Sequence, residues 1–300
     1  MTPAILTEGL TKHYGEVKAL IDLDLSVSQG EVFGFLGPNG AGKTTTIRTI
    51  LDLIRPTRGR ATILGMDTHE KSVEIRDHIG YLPSELAMYP SLTGMDTLTY
   101  FANLRGGVDW KHVDELAERL DSDLSLKVGD MSGGNRQKVG VIQAFMNKPQ
   151  LIVMDEPSSG LDPLVQREFQ KMMREVAAEG RSVFLSSHTL SEVQRVADRV
   201  GIIRHGRLVD VESVNDLRSK AIRRVELFFD TPVEADEFAT VAGVREVKAN
   251  QHSLVISFDG EMDQLLKVAT NHHNLVDITS QEADLEEIFL TYYEDEELEA

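Results

Sequence analysis

The stretch Gly37-Pro38-Asn39-Gly40-Ala41-Gly42-Lys43-Thr44 limits what this chain can fold into more than any other. It fits G-x-x-x-x-G-K-[ST] and stands directly after the apolar run Val32 to Leu36. A helical pattern, Thr45 to Leu53, follows it. Strand, glycine-rich turn and helix in that order direct successive backbone N–H groups inward at a helix N-terminus, which makes a cradle for phosphate. In such a loop Lys43 reaches the β- and γ-phosphates of a nucleotide, and the Thr44 hydroxyl ligands Mg²⁺. At ordinary residue frequencies a chance match occurs on the order of once in a hundred chains of this length, so the motif is not a decorative turn.

The surrounding pattern alternates strand and helix, the mark of an α/β domain with a largely parallel sheet. Ile21, Leu23, Leu25 and Val27 alternate with Asp22, Asp24 and Ser26, which predicts a strand with one wet face. Val32 to Leu36, Leu151 to Met154 and Val183 to Leu185 read instead as strands buried on both faces. From Pro163 onward, Val165, Phe169, Met172, Met173 and Val176 recur at helical spacing and predict an amphipathic helix with its methionines in the core. The strand Leu151 to Met154 runs into Asp155 and Glu156, so two carboxylates stand at the carboxyl edge of the sheet, where open α/β folds bind ligands. Asp155 is expected to hold Mg²⁺ through water and Glu156 to polarise the attacking water.

A third element gives these residues a family likeness. Met131-Ser132-Gly133-Gly134-Asn135 resembles the L-S-G-G-Q signature of ABC transporter ATP-binding subunits, twenty residues before the strand acids. Tyr14 resembles the adenine-stacking A-loop aromatic, Gly80-Tyr81-Leu82-Pro83 leads into the Q-loop, Ser159-Gly160-Leu161-Asp162 resembles the D-loop, and His188 resembles the switch histidine. The resemblance implies that Gly37, Pro38, Asn39, Gly40, Ala41, Gly42, Lys43, Thr44 and Thr45 hold ATP together with Tyr14. It further implies that Ser132, Gly133, Gly134, Asn135 and Asp162 complete the ATP site of a second subunit stacked head to tail, with Glu156 and His188 catalytic and Thr44 and Asp155 on the metal. Three departures stand out. The Q-loop glutamine is replaced by Ser84, followed by Glu85, so γ-phosphate sensing falls to Glu85 or to bridging water. The signature opens with Met131 for Leu and closes with Asn135 for Gln, changes of tuning.

Charge divides the chain. Residues 216–300 hold 20 acids and 7 bases, net −13, whereas the first 215 hold 29 and 24, net −5. The expected organisation is an ATPase domain over 1–215, with a helical subdomain at about 85–147, and a small accessory domain over 216–300. Strands at Arg224 to Phe229, Val244 to Ala249, Ser253 to Phe258 and Leu275 to Thr279, with helices at Ala235 to Val241 and Met262 to Asn271, spell a ferredoxin-like βαββαβ order. A last helix, Leu285 to Tyr293, with Leu285, Ile288, Phe289 and Tyr292 on one stripe, is expected before an acidic tail from Glu294. His252, His272 and His273 read as exposed residues rather than a metal site.

A net charge of −18 argues against nucleic acid as partner, and the absence of cysteine suits a reducing compartment. Met1 to Leu10 has no basic start or long apolar run, and no segment approaches the roughly 18 apolar residues that span a bilayer. Membrane association is therefore expected through a polytopic permease partner at the cytoplasmic face. The C-terminal extension resembles bacterial subunits that pair with drug, antibiotic or lipid exporters. A soluble ABC protein acting on ribosomes or DNA, and an importer subunit, are the alternatives; sugar importers resemble OB-type barrels in this region.

Overall fold

Val32–Leu36 is buried at every position, as befits an interior strand of a six-stranded, chiefly parallel sheet packed on both faces. The structure, a computed structural model, describes residues 2–220, 223–260 and 262–281. The chain forms two compact units that divide between Glu212 and Ser213.

The first unit begins with β1 (Ile5–Tyr14), β2 (Val17–Val27) and β3 (Val32–Leu36), then α1 (Lys43–Ile50), β4 (Arg58–Ile63), β5 (Met66–Asp67), α2 (Ser72–His78) and β6 (Ile79–Leu82). Three helices follow, α3 (Gly94–Leu104), α4 (Trp110–Arg119) and α5 (Gly133–Phe145), within the predicted helical stretch. The unit closes with β7 (Leu151–Asp155), α6 (Pro163–Ala178), β8 (Ser182–Ser187), α7 (Leu190–Val193), β9 (Arg199–Arg204) and β10 (Arg207–Ser213). One sheet has the order β2-β1-β4-β5 and the other β10-β9-β3-β8-β7-β6. β3 lies parallel to β8 and β9, and β7 parallel to β6 and β8. Ile47 and Ile50 of α1 share one core with Leu10, Leu20 and Leu23 of the first sheet and Phe33, Phe35 and Val153 of the second. The phosphate loop is thereby anchored between two sheets.

Periodicity places the buried face of α6 correctly, at Val165, Phe169, Met172, Met173 and Val176. It fails in two places. In β2, Leu23, Leu25 and Val27 face the core, but upstream the buried residue is Leu20 and Ile21 is only half-buried. The cause is a bulge: pairing with β1 shifts between Leu10–Leu23 and Lys12–Leu20, and Asp22 takes φ 49° with its N–H donated to Thr11 Oγ1 at 3.0 Å. Helix α1 stops at Ile50 rather than Leu53 because Asp52 turns left-handed at φ 54° and the N–H groups of Leu53 and Ile54 both return to the Arg48 carbonyl.

The C-terminal unit contains α8 (Val214–Lys220), β11 (Arg223–Phe229), α9 (Asp236–Ala239), β12 (Val244–Asn250), β13 (Ser253–Phe258), α10 (Met262–His272) and β14 (Leu275–Gln281). From β11 onward the element order is strand, helix, strand, strand, helix, strand. Its sheet runs β12-β13-β11-β14, antiparallel throughout. Val225, Leu227, Leu254, Ile256 and Phe258 make one core with Phe238 of α9 and Leu265 and Ala269 of α10. The expected helix from Leu285 to Tyr293 and the acidic tail lie outside the described residues.

Candidate active site

The site is built where β3, β8 and β7 end side by side. After Leu36 the chain turns through the glycine loop into α1, and Gly42 stands at the helix start with φ 112° and ψ 4°. A side-chain carbon at Gly42 would lie 2.7 Å from the Ala19 carbonyl oxygen, so only glycine lets the loop close against β2. No side chain caps α1, which leaves the N–H groups of its first turn to an anion. Lys43 is buried and folds back over the loop: Nζ donates to the carbonyls of Gly37 at 2.6 Å and Pro38 at 3.2 Å.

The opposite wall comes from the strand ends. Asp155 is wholly buried, with Oδ2 accepting from Thr44 Oγ1 at 2.7 Å and Oδ1 from Ser186 Oγ at 2.6 Å. Glu156, at φ 51°, places Oε1 3.1 Å from Lys43 Nζ and Oε2 2.8 Å from His188 Nδ1. The Lys43 contact is an ion pair off hydrogen-bonding alignment, and Oε1 is buried behind it with no hydrogen-bond partner among the described residues. Behind Asp155, burial raises the pKa of the Tyr81 phenol and the Asp155 charge acts in the same direction, which keeps that ring neutral beside the carboxylate. A cleft of about 490 Å³ opens between these walls, lined by Pro38, Asn39, Gly40, Gly42–Thr45, Ser84 and Glu156, with Val17–Ala19 and the turn His205-Gly206 at its outer rim.

Three comparisons with known proteins bear on this geometry. Residues 20–159 match the family model described as ABC transporter. The chain is 33% identical over 297 residues to the bacitracin transport ATP-binding protein BcrA of Bacillus licheniformis, covering 97% of each. This chain is an ABC transporter ATP-binding protein. The linearmycin resistance ATP-binding protein LnrL of Bacillus subtilis (strain 168) is 32% identical over 298 residues, spanning 94% of this ABC ATPase and 96% of the relative. A solved ATP binding subunit of an ABC transporter superposes with a TM-score of 0.66 at 31% identity, over 72% of this chain and 92% of that one.

Within this ABC ATPase the sequence-read residues fall into two groups. The phosphate loop, Asp155, Glu156 and His188 converge as above, and Ser84 rather than Glu85 lines the cleft. Tyr14, Ser132–Asn135 and Asp162 stand apart from it. Tyr14 is half exposed at the end of β1, with Lys12 Nζ 5.1 Å from its ring centre. Ser132 caps α5, accepting the Asn135 N–H at 3.2 Å, and Gly134 packs so closely that an added carbon would meet the Gly160 carbonyl at 2.4 Å. Asp162 caps α6 through the N–H groups of Leu164 and Val165, and the Val165 bond leads in holding its carboxyl below the usual range. Sequence reasoning missed Lys18, His205 and the hydroxyl of Ser186. The signal for Ser186 was a polar residue closing an otherwise apolar strand; Lys18 and His205 gave none.

The donor set fits a hard divalent cation. Asp155 is a buried carboxylate with no ion-pair partner among the described residues, and the Thr44 hydroxyl shares one of its oxygens. No group of three or more acidic or histidine side chains able to hold a metal by themselves is found among the described residues. His273 is not the exposed residue that the sequence suggests: its ring packs against Phe229 and Phe238 and pairs with Glu237 at 2.6 Å, and it joins no metal cluster.

Proposed function

We propose that this ABC ATPase powers a polytopic membrane permease that exports drugs, antibiotics or lipids, with each ATP and its Mg²⁺ held between two head-to-tail copies of the first unit. The observation that carries this reading is the likeness to a bacitracin transport subunit over 97% of both chains, which extends through the C-terminal unit. A linearmycin resistance relative of nearly full coverage supports the same class. No helix among the described residues is long and apolar enough to cross a membrane. In this reading the permease is the membrane anchor and the ATPase sits at the cytoplasmic face.

The residues divide the work. Lys43 exchanges its carbonyl partners and Glu156 for phosphate oxygens when nucleotide enters. Thr44 and Asp155 would hold Mg²⁺, which when bound would supply charge neutralisation for the phosphates. Glu156, oriented by His188 on one oxygen, accepts the proton of the attacking water with the other. Ser132, Gly133 and Gly134 begin α5 at positions remote from their own cleft. Their helix end therefore serves the γ-phosphate of the facing copy, with Asp162 beside the junction. Loss of the γ-phosphate removes that bridge and opens the pair.

Purification from membranes tests the assignment: the chain is expected to copurify with a polytopic membrane protein and to hydrolyse ATP only with Mg²⁺. A salt-sensitive mobility shift of nucleic acid, with no membrane partner, would replace it with the soluble class.

A further inference from the structure

We propose that Ser186 is a positioning residue that sets both carboxylates of the hydrolytic site with one hydroxyl. The inference rests on reading Asp155 as the Mg²⁺ carboxylate and Glu156 as the base. Ser186 is fully buried near the end of β8 and faces Asp155 in the last register pair of the β7–β8 ladder. A hydroxyl buried among apolar strands needs partners, and this one has two. Its oxygen lies 2.6 Å from Asp155 Oδ1 and accepts the Glu156 N–H at 3.0 Å. An ionised Asp155 can only accept, so the single Ser186 proton is committed to it, and the order of donation is fixed as Glu156 N–H to Ser186 to Asp155.

The consequences reach both acids. Asp155 is gripped from opposite sides, by Thr44 at the head of α1 and by Ser186 at the end of β8, which fixes the carboxylate plane. Beyond Asp155 the ladder ends, and the Ser186 hydroxyl accepts the N–H that no strand carbonyl meets. That bond holds Glu156 at φ 51°, a backbone region side chains other than glycine avoid. From this conformation the Glu156 carboxylate meets Lys43 and His188. The end of β8 thus acts twice, with Ser186 on the backbone of Glu156 and His188, one residue past the strand, on its side chain.

Ser186→Ala, Ser186→Thr and Ser186→Cys in the full chain test this. With Ser186→Ala, a fluorescent ADP analogue is expected to bind as in wild type in the presence of chelator, since the glycine loop is untouched. Titration of Mg²⁺ into that complex should shift to about 10–100-fold higher concentration, and kcat should fall by a similar factor with KM for ATP little changed. Ser186→Thr, which keeps the hydroxyl, should restore both readouts. If circular dichroism shows Ser186→Ala unfolded, Ser186→Cys leaves no cavity, carries a slightly larger atom with a feeble donor, and should show the same losses. Wild-type Mg²⁺ titration and kcat in Ser186→Ala or Ser186→Cys, or a Ser186→Thr as impaired as Ser186→Ala, overturns the inference alone. A wild-type protein with no Mg²⁺-dependent hydrolysis overturns the reading of the carboxylates beneath it.

Discussion

In the first unit the central strands are parallel and buried on both faces, so their side chains fill the core and the chemistry collects where they end. In the C-terminal unit the strands are antiparallel, and β11 alternates buried Val225, Leu227 and Phe229 with half-buried Glu226 and Phe228. The described residues that line the nucleotide cleft belong to the first unit. A parallel sheet brings many strand ends to one edge, where loop amides, hydroxyls and carboxylates meet. Hairpins spread their polar groups along a face. The contrast places the candidate site in one unit, while the other carries a net charge of −13 from residue 216 onward.

The strongest way to break this contrast is Lys43→Ala, which removes the cation directed at the phosphates and is expected to abolish tight ATP binding. Equilibrium titration with a fluorescent ATP analogue reads it, and undiminished affinity would mean that the backbone cradle suffices. Next is Glu156→Gln, expected to leave binding intact and to lower turnover at least ~10²-fold, because an amide holds water without accepting its proton. Light scattering should also report a dimer trapped in ATP and Mg²⁺.

A third test addresses the second unit. Phe258→Ala opens its core at a fully buried position and should destabilise that unit by about 3–5 kcal/mol while leaving hydrolysis by folded protein unchanged. Trp110, the only tryptophan in the sequence, belongs to the first unit and reports its unfolding separately from circular dichroism. Coincident shifts in both signals would join the units into one cooperative block. The smallest effect on nucleotide is expected from truncation after Glu212. ATP affinity should stay as in the full chain, while dimer lifetime and its salt dependence change, since salt screens repulsion between exposed charges beyond roughly 10 Å. Loss of nucleotide binding by a folded truncated protein would place part of the C-terminal unit in the site.

Much of this was legible in the residues. The phosphate loop, the Asp155-Glu156 pair and the buried stripe of α6 follow from local pattern, because helix and strand periods are properties of consecutive residues. The slip at Asp22 and the early end of α1 were not, since each depends on one left-handed residue that its flanking pattern does not announce. The outer rim at Lys18 and His205 was also silent. Those side chains reach the cleft because the His205-Gly206 turn bonds to both β2 and the glycine loop, through Ile21 N–H to the Gly206 carbonyl and Gly206 N–H to the Ala41 carbonyl.

The sequence by itself determined the phosphate loop, the two terminal carboxylates, the family and the order of elements in the C-terminal unit, since each is written in contiguous residues. The tertiary structure alone decided which of these meet. Strand order sets β8 between β3 and β7, pairing Leu36 with Ser187 and Asp155 with Ser186. That juxtaposition puts Lys43, Asp155, Glu156, Ser186 and His188 within hydrogen-bond or ion-pair reach of their neighbours in one site, and keeps Ser132 and Asp162 at helix caps away from it. Periodicity records which face of a strand is buried; which strand stands beside it is settled only when the whole chain has packed.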